Sequence, residues 1–192
     1  MKIQEIDALL KTSLPPKRYE HSVSVMCEAA VLAEHHNLDP EKIRIAALLH
    51  DCGRESANHE APRKAREMGL SVSPIEEAQP VLLHARMGAA IAREKYRITD
   101  AEILKAISLH TTGGKNMSEL DMVIFLADYT EPARVQKGVD KVRRLARANM
   151  DLAMLSALKY NMEYLLRSRR CIHPDCIDCW NYFLGKLCAR DG

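Results

Sequence analysis

Three segments of the chain carry apolar residues at helical spacing, and each of these rows ends on a histidine or an acid. The rows run from Ile43 to His50, which Asp51 follows directly, from Ile103 to His110, and from Leu120 to Asp128. Residues three, four or seven positions apart share one face of an α-helix. Each row therefore predicts a helix whose buried face ends on a polar side chain that points into the core.

The rest of the chain also favours helices. Aromatic residues make up only 5% of it, and Ala, Leu, Met, Glu, Lys and Arg, which are good helix formers, are abundant. Start signals such as Asp39-Pro40 and Ser73-Pro74-Ile75-Glu76 combine an N-cap with a proline in the first turn. We predict an all-α helical bundle without a significant sheet, with helices near 17–36, 40–51, 60–68, 75–96, 100–110, 119–129, 139–148, 151–167 and 175–188, and with Gly53 ending the second of these.

Length and charge limit the classes of protein to which the chain can belong. Its 192 residues suit a single domain over 1–192, with a metal-binding core at about 17–135 and C-terminal helices over 139–190 that pack on it. A net charge of +2 argues against a nucleic-acid coat. No stretch approaches the roughly 18 apolar residues of a membrane span, and the N-terminus lacks a signal-peptide pattern. We expect a cytoplasmic protein that binds neither nucleic acid nor membrane.

The inward-facing polar residues predict a metal site. A buried His or Asp costs several kcal/mol, on the order of 2–7, unless it is paired or bound to a metal. His21 and His84 join the three row ends, and His84 begins a seam of small residues with Gly88 and Ala92. Imidazoles and carboxylates on facing helices suit Fe, Mn, Zn or Mg. One such histidine alone could be a hydrogen-bonded core residue, but five positions together favour a metal.

The ordered set of these residues carries a family resemblance. His21, then His50-Asp51, His84, His110 and Asp128 resembles the H…HD…H…H…D pattern of the HD-domain metal-dependent phosphohydrolases. The local segments Leu48-Leu49-His50-Asp51, His110-Thr111-Thr112-Gly113, the run 125–134 with its Glu131-Pro132-x-Arg134 motif, and Ile172-His173-Pro174-Asp175 are similar to the YqeK-type symmetrical bis(5'-nucleosyl)-tetraphosphatases. The resemblance covers nearly the whole chain.

The resemblance implies roles for individual residues. His21, His50, Asp51 and Asp128 would hold a tightly bound metal, typically iron in this family, with Mn, Mg or Zn as alternatives. His84 and His110 would hold a second ion or the substrate phosphates. The residues implied around the nucleotide and its phosphates are Arg18, Arg54, His84, His110, Thr111 and Arg134.

The resemblance also implies an activity, the hydrolysis of diadenosine tetraphosphate into two ADP by a metal-activated water. We expect the catalytic residues to be His50 and Asp51, with Asp51 as the base, since a metal-bound imidazole has no free lone pair. Two alternatives stay open: an HD nucleotidase or deoxynucleotide phosphohydrolase, and a nucleotide-binding HD sensor without turnover.

Four further features have more ordinary interpretations. The thiols of Cys171, Cys176 and Cys179 have spacings that could bind Zn with His173, although a loop before the last helix explains the segment as well. The basic residues of 141–147 predict a solvated helix face, and His35-His36 predict surface positions. The apolar row along 150–165 indicates core or a homodimer surface.

Overall fold

Every regular element of the computed structural model is helical within the residues that it describes, 1–55 and 58–189. The all-α prediction is confirmed. The α-helices in chain order are α1 (Ile3–Ser13), α2 (Pro16–His35), α3 (Pro40–Leu49), α4 (Ala61–Glu67), α5 (Pro74–Ala78), α6 (Leu83–Glu94), α7 (Ala101–Leu109), α8 (Glu119–Thr130), α9 (Val139–Ala148), α10 (Met150–Arg167) and α11 (Pro174–Cys188). Short 3₁₀ turns span Cys52–Glu55, Asn58–Glu60 and Pro80–Leu82.

The core lies between α2, α3, α7 and α8. The helix α2 packs against α3 and α8, and α7 packs against α3, α6 and α8. The apolar rows of the sequence face this core: Leu48, Ile107 and Ile124 are fully buried. Because all three rows point to the same interior, the polar residues at their ends meet there.

The C-terminal helices pack on this core through α8. Both α9 and α10 contact α8, and α11 packs on α10. The apolar row of α10 is buried within the chain at Met150, Met154 and Leu158, so these residues serve as core, and the homodimer stays a prediction. Residue 190, the end of the range predicted for the C-terminal helices, lies outside the described residues. None of the described helices is long and apolar enough to cross a membrane.

The helix α1 was missing from the sequence prediction. It has its own helical apolar row of Ile3, Ile6 and Leu10, and the last two are fully buried. This spacing of apolar residues is visible in the sequence and predicts a short amphipathic helix. Tyr19 of α2 donates a hydrogen bond to Asp7 of α1 at 2.8 Å.

The single helix predicted over 75–96 is wrong. The structure divides it into α5, a 3₁₀ turn at Pro80–Leu82, and α6. Pro80 has no N–H to donate and its ring excludes the carbonyl four residues before it, so a continuous α-helix cannot pass through this position. The interruption places His84 in the first turn of α6.

Candidate metal centre

His50 and Asp51 lie where α3 ends. The helix stops at Leu49 and His50 is its C-cap, so the expectation that Gly53 ends the helix is wrong. Gly53 instead lies in the following 3₁₀ turn. The thiol of Cys52 in this turn donates a hydrogen bond to the carbonyl of Gly88 at 3.2 Å. The turn is thereby tied to α6, and Gly53 permits the close approach of the two elements, because a Cβ there would overlap the carbonyl oxygen of His84.

Three histidines have rings oriented by the same local contact. The Nδ1 atom of each faces the carbonyl oxygen three residues earlier: His50 faces Ala47 at 2.7 Å, His110 faces Ile107 at 2.7 Å, and His84 faces Val81. Since a carbonyl oxygen only accepts hydrogen bonds, each Nδ1 carries the proton. Each Nε2 atom therefore keeps a free lone pair, which is the form that binds a metal.

These Nε2 atoms point into one cluster with Asp51. The Nε2 atoms of His84 and His110 lie 3.0 Å apart, and Asp51 Oδ1 lies 3.3 Å from the first and 3.8 Å from the second. Three overlapping sets of residues have ligand atoms within 4.8 Å of one another: His21, His50 and Asp51; His50, His110 and Asp128; and Asp51, His84 and His110.

The environment of the His50 Nε2 atom shows whether the site fits a metal. The His50 side chain is fully buried, and this atom has no hydrogen-bond partner among the described residues. A buried polar atom without a partner costs free energy. A cation bound by this lone pair would remove that cost, so the donor set fits a divalent metal.

His21 of α2 and Asp128 of α8 complete the cluster on its other side. His21 Nε2 lies 3.0 Å from Asp128 Oδ1, and His21 Nδ1 lies 3.5 Å from Glu131 Oε1. His50 Nε2 is 4.0 Å from the same Asp128 oxygen. The structure thus brings together all six metal-ligand candidates predicted from the sequence.

The electrostatics favour neutral rings at His84 and His110 and ionised carboxylates at Asp51 and Asp128. Burial lowers the pKa of His84 to about 3 and that of His110 to about 4, so both rings are neutral at pH 7. Burial would raise the pKa of Asp51, but His50, Arg54 and the other imidazoles outweigh it and hold the pKa well below its usual range. Burial would likewise raise the pKa of Asp128, but the hydrogen bond from His21, together with the nearby His50, Arg134 and His110, outweighs it and holds that pKa well below its usual range. These are the charge states that ligate a divalent cation.

The predicted phosphate-binding residues surround the cluster. Arg18 donates to Asp51 Oδ2 at 3.2 Å, and Arg54 donates to Asp51 Oδ1 at 2.6 Å. Arg134 donates through Nε to the carbonyl of Asp128 at 2.9 Å and through its terminal nitrogen to the carboxylate of the same residue. The hydroxyl of Thr111 lies 3.1 Å from the Nε2 atoms of both His84 and His110.

A family comparison agrees with this geometry. The profile of the HD domain matches residues 18–133, a range that contains all six candidate ligands. The chain belongs to the HD-domain family.

Curated relatives of the HD domain match nearly the whole chain. A protein of Halalkalibacterium halodurans named symmetrical bis(5'-nucleosyl)-tetraphosphatase is 39% identical over 92% of this chain and 94% of its own length. A Bacillus subtilis protein of the same name is 33% identical over 96% of this chain and 99% of its own. The resemblance stated from the sequence is confirmed.

A solved HD-domain structure has the same fold. It is a Clostridium acetobutylicum protein described as a predicted HD superfamily hydrolase involved in NAD metabolism. The two chains superpose with a TM-score of 0.92 at 33% sequence identity, covering 97% of this chain and 98% of that one.

Two residues beside the HD-domain ligands were not assigned a role from the sequence. Glu131 is 2% exposed and faces His21. Arg143 donates hydrogen bonds to the carbonyl oxygens of Thr130 at 2.8 Å, Glu131 at 2.9 Å and Arg134 at 2.8 Å. The prediction of a solvated basic face is therefore wrong for Arg143. The prediction of a surface position is also wrong for His36, whose Nε2 lies 2.7 Å from the carbonyl of Ala146.

The loop that follows His110 in the HD domain packs on α11. Gly113 has φ +67°, and a Cβ there would lie 2.6 Å from the sulfur of Cys179, so glycine suits both the left-handed backbone and the space. Among the described residues, the His, Cys, Asp and Glu groups close enough to hold a metal include none of Cys171, Cys176 and Cys179. Burial raises the pKa of Cys176 to about 12 and of Cys179 to about 11, which keeps these thiols protonated and disfavours the zinc interpretation.

Proposed function

We propose that this chain is a divalent-metal-dependent hydrolase that cleaves diadenosine tetraphosphate and related dinucleoside polyphosphates symmetrically into two ADP. The observation that carries this proposal is the buried cluster of four imidazoles and two carboxylates, with its unpartnered His50 Nε2 and its surrounding arginines. Relatives that bear the name of this activity align over nearly their full length with the chain, which supports the choice of substrate.

The proposal assigns the metal ligands as His21, His50, Asp51 and Asp128. The reduced pKa values of the two carboxylates and the free Nε2 atom of His50 support this assignment. His84 and His110 bind a second ion or the phosphates of the substrate. Iron is the proposed native ion, and a homodimer in the cytoplasm that binds no nucleic acid completes the proposal.

A bound divalent ion supplies two things to phosphoanhydride hydrolysis, a lower pKa for its water and withdrawal of charge from a phosphoryl oxygen. The chain supplies the orientation. A carboxylate whose pKa is as low as that of Asp51 is a weak base but a permanent hydrogen-bond acceptor. We therefore assign Asp51 the roles of ligand and of acceptor that orients the attacking water, and its role as the base stays the prediction made from the sequence.

The arginines neutralise the polyphosphate chain. Arg18 and Arg134 are 44% and 38% exposed in their side chains, whereas the cluster that they border is mostly buried. Guanidinium groups bind phosphate oxygens by charge-assisted and often bidentate hydrogen bonds. With Arg54, they place positive charge where the negative charge of the reacting phosphates develops.

The test is an anaerobic assay of protein loaded with Fe(II) or Mn(II) on diadenosine tetraphosphate, with the products separated by chromatography. We expect ADP as the sole product, and we expect Asp51→Ala to abolish its formation. The control is Asp178→Ala, which removes an exposed carboxylate on α11 that pairs with Lys115 at 3.1 Å. This variant should keep full activity.

Other products would identify the alternatives. A nucleoside with tripolyphosphate, released from a deoxynucleotide, would indicate a triphosphohydrolase that uses the same ligands. Tight binding of ADP by the metal-loaded protein without turnover would indicate a sensor. Either result would contradict the proposed activity.

A further inference from the structure

The cavity at the metal centre extends well beyond the metal ligands. It encloses about 440 Å³, which is within the usual size range of small-molecule sites. His84, His110 and Asp128 line it. Five residues of α10, which follow the HD-domain match in the chain, line it as well and are called the α10 wall: Tyr160, Asn161, Glu163, Tyr164 and Arg167.

The α10 wall leads from the core to the surface. Tyr160, Tyr164 and Arg167 are separated by four and three positions, so they lie on one helix face that is about 10 Å long at the helical rise. Tyr160 is partly buried and packs near Gly138. Tyr164 is 55% exposed. The wall is therefore long enough to hold a ligand group outside the metal centre.

The chemistry of this wall suits a nucleoside with its phosphate. The ring of Tyr164 is 55% exposed. The guanidinium of Arg170 lies over one face of this ring, 5.8 Å from its centroid, which leaves the other face for stacking. Lys137 lines the same cavity, is exposed, and forms no ion pair among residues 1–55 and 58–189. An aromatic ring beside cationic groups is the arrangement that holds a base and its phosphate without sequence preference.

We infer that the α10 wall binds the second nucleoside of the dinucleotide, with its base stacked on Tyr164 and its phosphate beside Lys137. This inference rests on the proposed function. A dinucleoside polyphosphate has two nucleosides joined by its phosphates. The two nucleosides cannot occupy the same subsite, so the second one needs a separate place. On this inference the second half is held at the α10 wall and does not extend freely into solvent.

The test compares two substrates of the metal-loaded protein: diadenosine tetraphosphate, and adenosine 5'-tetraphosphate, which lacks the second nucleoside. We expect the wild-type protein to prefer the dinucleotide. Tyr164→Ala should lower kcat/KM for the dinucleotide about tenfold, mainly through KM, because stacking on the base is lost. Activity on adenosine 5'-tetraphosphate should change less than twofold.

Two control variants separate stacking from structural damage. Tyr164→Phe keeps the ring and should retain kcat/KM within about twofold. Leu166→Ala removes a side chain that is 66% exposed on the same helix and does not line the cavity, and it should behave as wild type. Equal use of both substrates by the wild type, or an unchanged KM in Tyr164→Ala, would overturn the inference. If no ADP forms from the dinucleotide at all, the proposed function itself fails.

Discussion

His21 is oriented differently from the other histidines of the cluster. Its Nδ1 atom faces the carboxylate of Glu131 at 3.5 Å and not a carbonyl of its own helix. Glu131 is in turn fixed, since it accepts hydrogen bonds from the hydroxyl of Ser24 and the amide of Ala133, each at 2.8 Å. A carboxylate behind a ligating histidine sets its tautomer and raises its basicity.

Glu131→Gln should therefore weaken metal binding. We expect the affinity for Mn(II) or Fe(II) to fall about tenfold to a hundredfold while the fold persists, as measured by metal titration and by circular dichroism. The control is Glu28→Gln, which alters another buried acid, one that accepts from Thr130 Oγ1 at 3.3 Å. Equal losses in the two variants would show that burial, and not the contact with His21, explains the effect.

The sequence could predict the candidate ligands, which the structure brings together, but not the residues that orient them. His50, His110 and Asp128 end apolar rows, and this pattern is visible without a structure because helical spacing alone defines it. Glu131 follows the end of α8, and its contact with His21 joins residues 110 positions apart. No local periodicity reports such a contact, so residues of this kind are found only when the chain is folded.

At the scale of elements, Arg143 of α9 fixes the segment that carries Arg134. Its guanidinium binds three backbone carbonyls at and beyond the end of α8. The end of a helix leaves carbonyl groups without intrahelical partners. One side chain therefore satisfies these groups and holds the loop over the metal centre.

Arg143→Ala should lower both stability and activity. We expect the free energy of unfolding to fall by about 2 kcal/mol, as charged hydrogen bonds are lost, and kcat/KM to fall about tenfold because Arg134 is displaced. Urea denaturation and the ADP assay measure these effects. Arg144→Ala, which changes the exposed neighbour, should stay within about 0.5 kcal/mol of wild type. A similar loss in Arg144→Ala would point to the charge of α9 and not to the carbonyl contacts.

Gly138 connects the start of α9 with the wall of the cavity. It is the N-cap of α9 with φ +84°, and a Cβ at this position would lie 2.2 Å from the ring of Tyr160. The backbone and the contact both require glycine, since other residues in the left-handed region cost about 1–2 kcal/mol. The position could be identified from the sequence as a helix boundary, but not its contact with Tyr160.

Gly138→Ala should destabilise the protein by more than about 1 kcal/mol and raise KM, because Tyr160 must move. The matched variant is Gly185→Ala, within α11, where an added Cβ meets no atom within 4 Å. It should raise the free energy of unfolding by about 0.5–1 kcal/mol, as alanine is the better helix former. Thermal denaturation distinguishes the two, and an equal shift of the same sign would contradict this explanation.

For the whole molecule, the buried histidines predict sensitivity to acid. The pKa values of about 3 for His84 and about 4 for His110 lie below the value of about 6.5 in an unfolded chain. Below pH 6.5 the unfolded state therefore binds protons that the native state does not. The stability from these residues is present above this pH and is lost as the pH falls toward 4.

The metal-free protein should show this loss in urea denaturation between pH 7 and pH 4. Each histidine contributes a slope of up to about 1.4 kcal/mol per pH unit within its window. His84→Gln should reduce the slope by about half of this joint contribution. His35→Gln, which alters an exposed residue of α2, should leave the slope unchanged. An unaltered slope in His84→Gln would contradict the assignment.

The overall architecture could be predicted from the sequence more completely than the bounds of its helices. The all-α bundle follows from helix-forming composition and apolar rows, and the order of the histidines indicated the family. Two details of the secondary structure were not predicted. One is the short amphipathic helix α1, and the other is the interruption of the helix predicted over 75–96 at Pro80. The interpretation of 1–192 as one domain stays a prediction.

The cavity is lined by residues from two separate parts of the chain. The proposed metal ligands lie within the HD-domain match of 18–133, whereas the α10 wall follows it. Changes in the later segment can alter what fits the cavity without replacing a single ligand. Evolutionary changes after residue 133 would therefore alter the substrate while the proposed reaction is kept. Chimaeras of two relatives joined near this boundary would reproduce such a change in the laboratory.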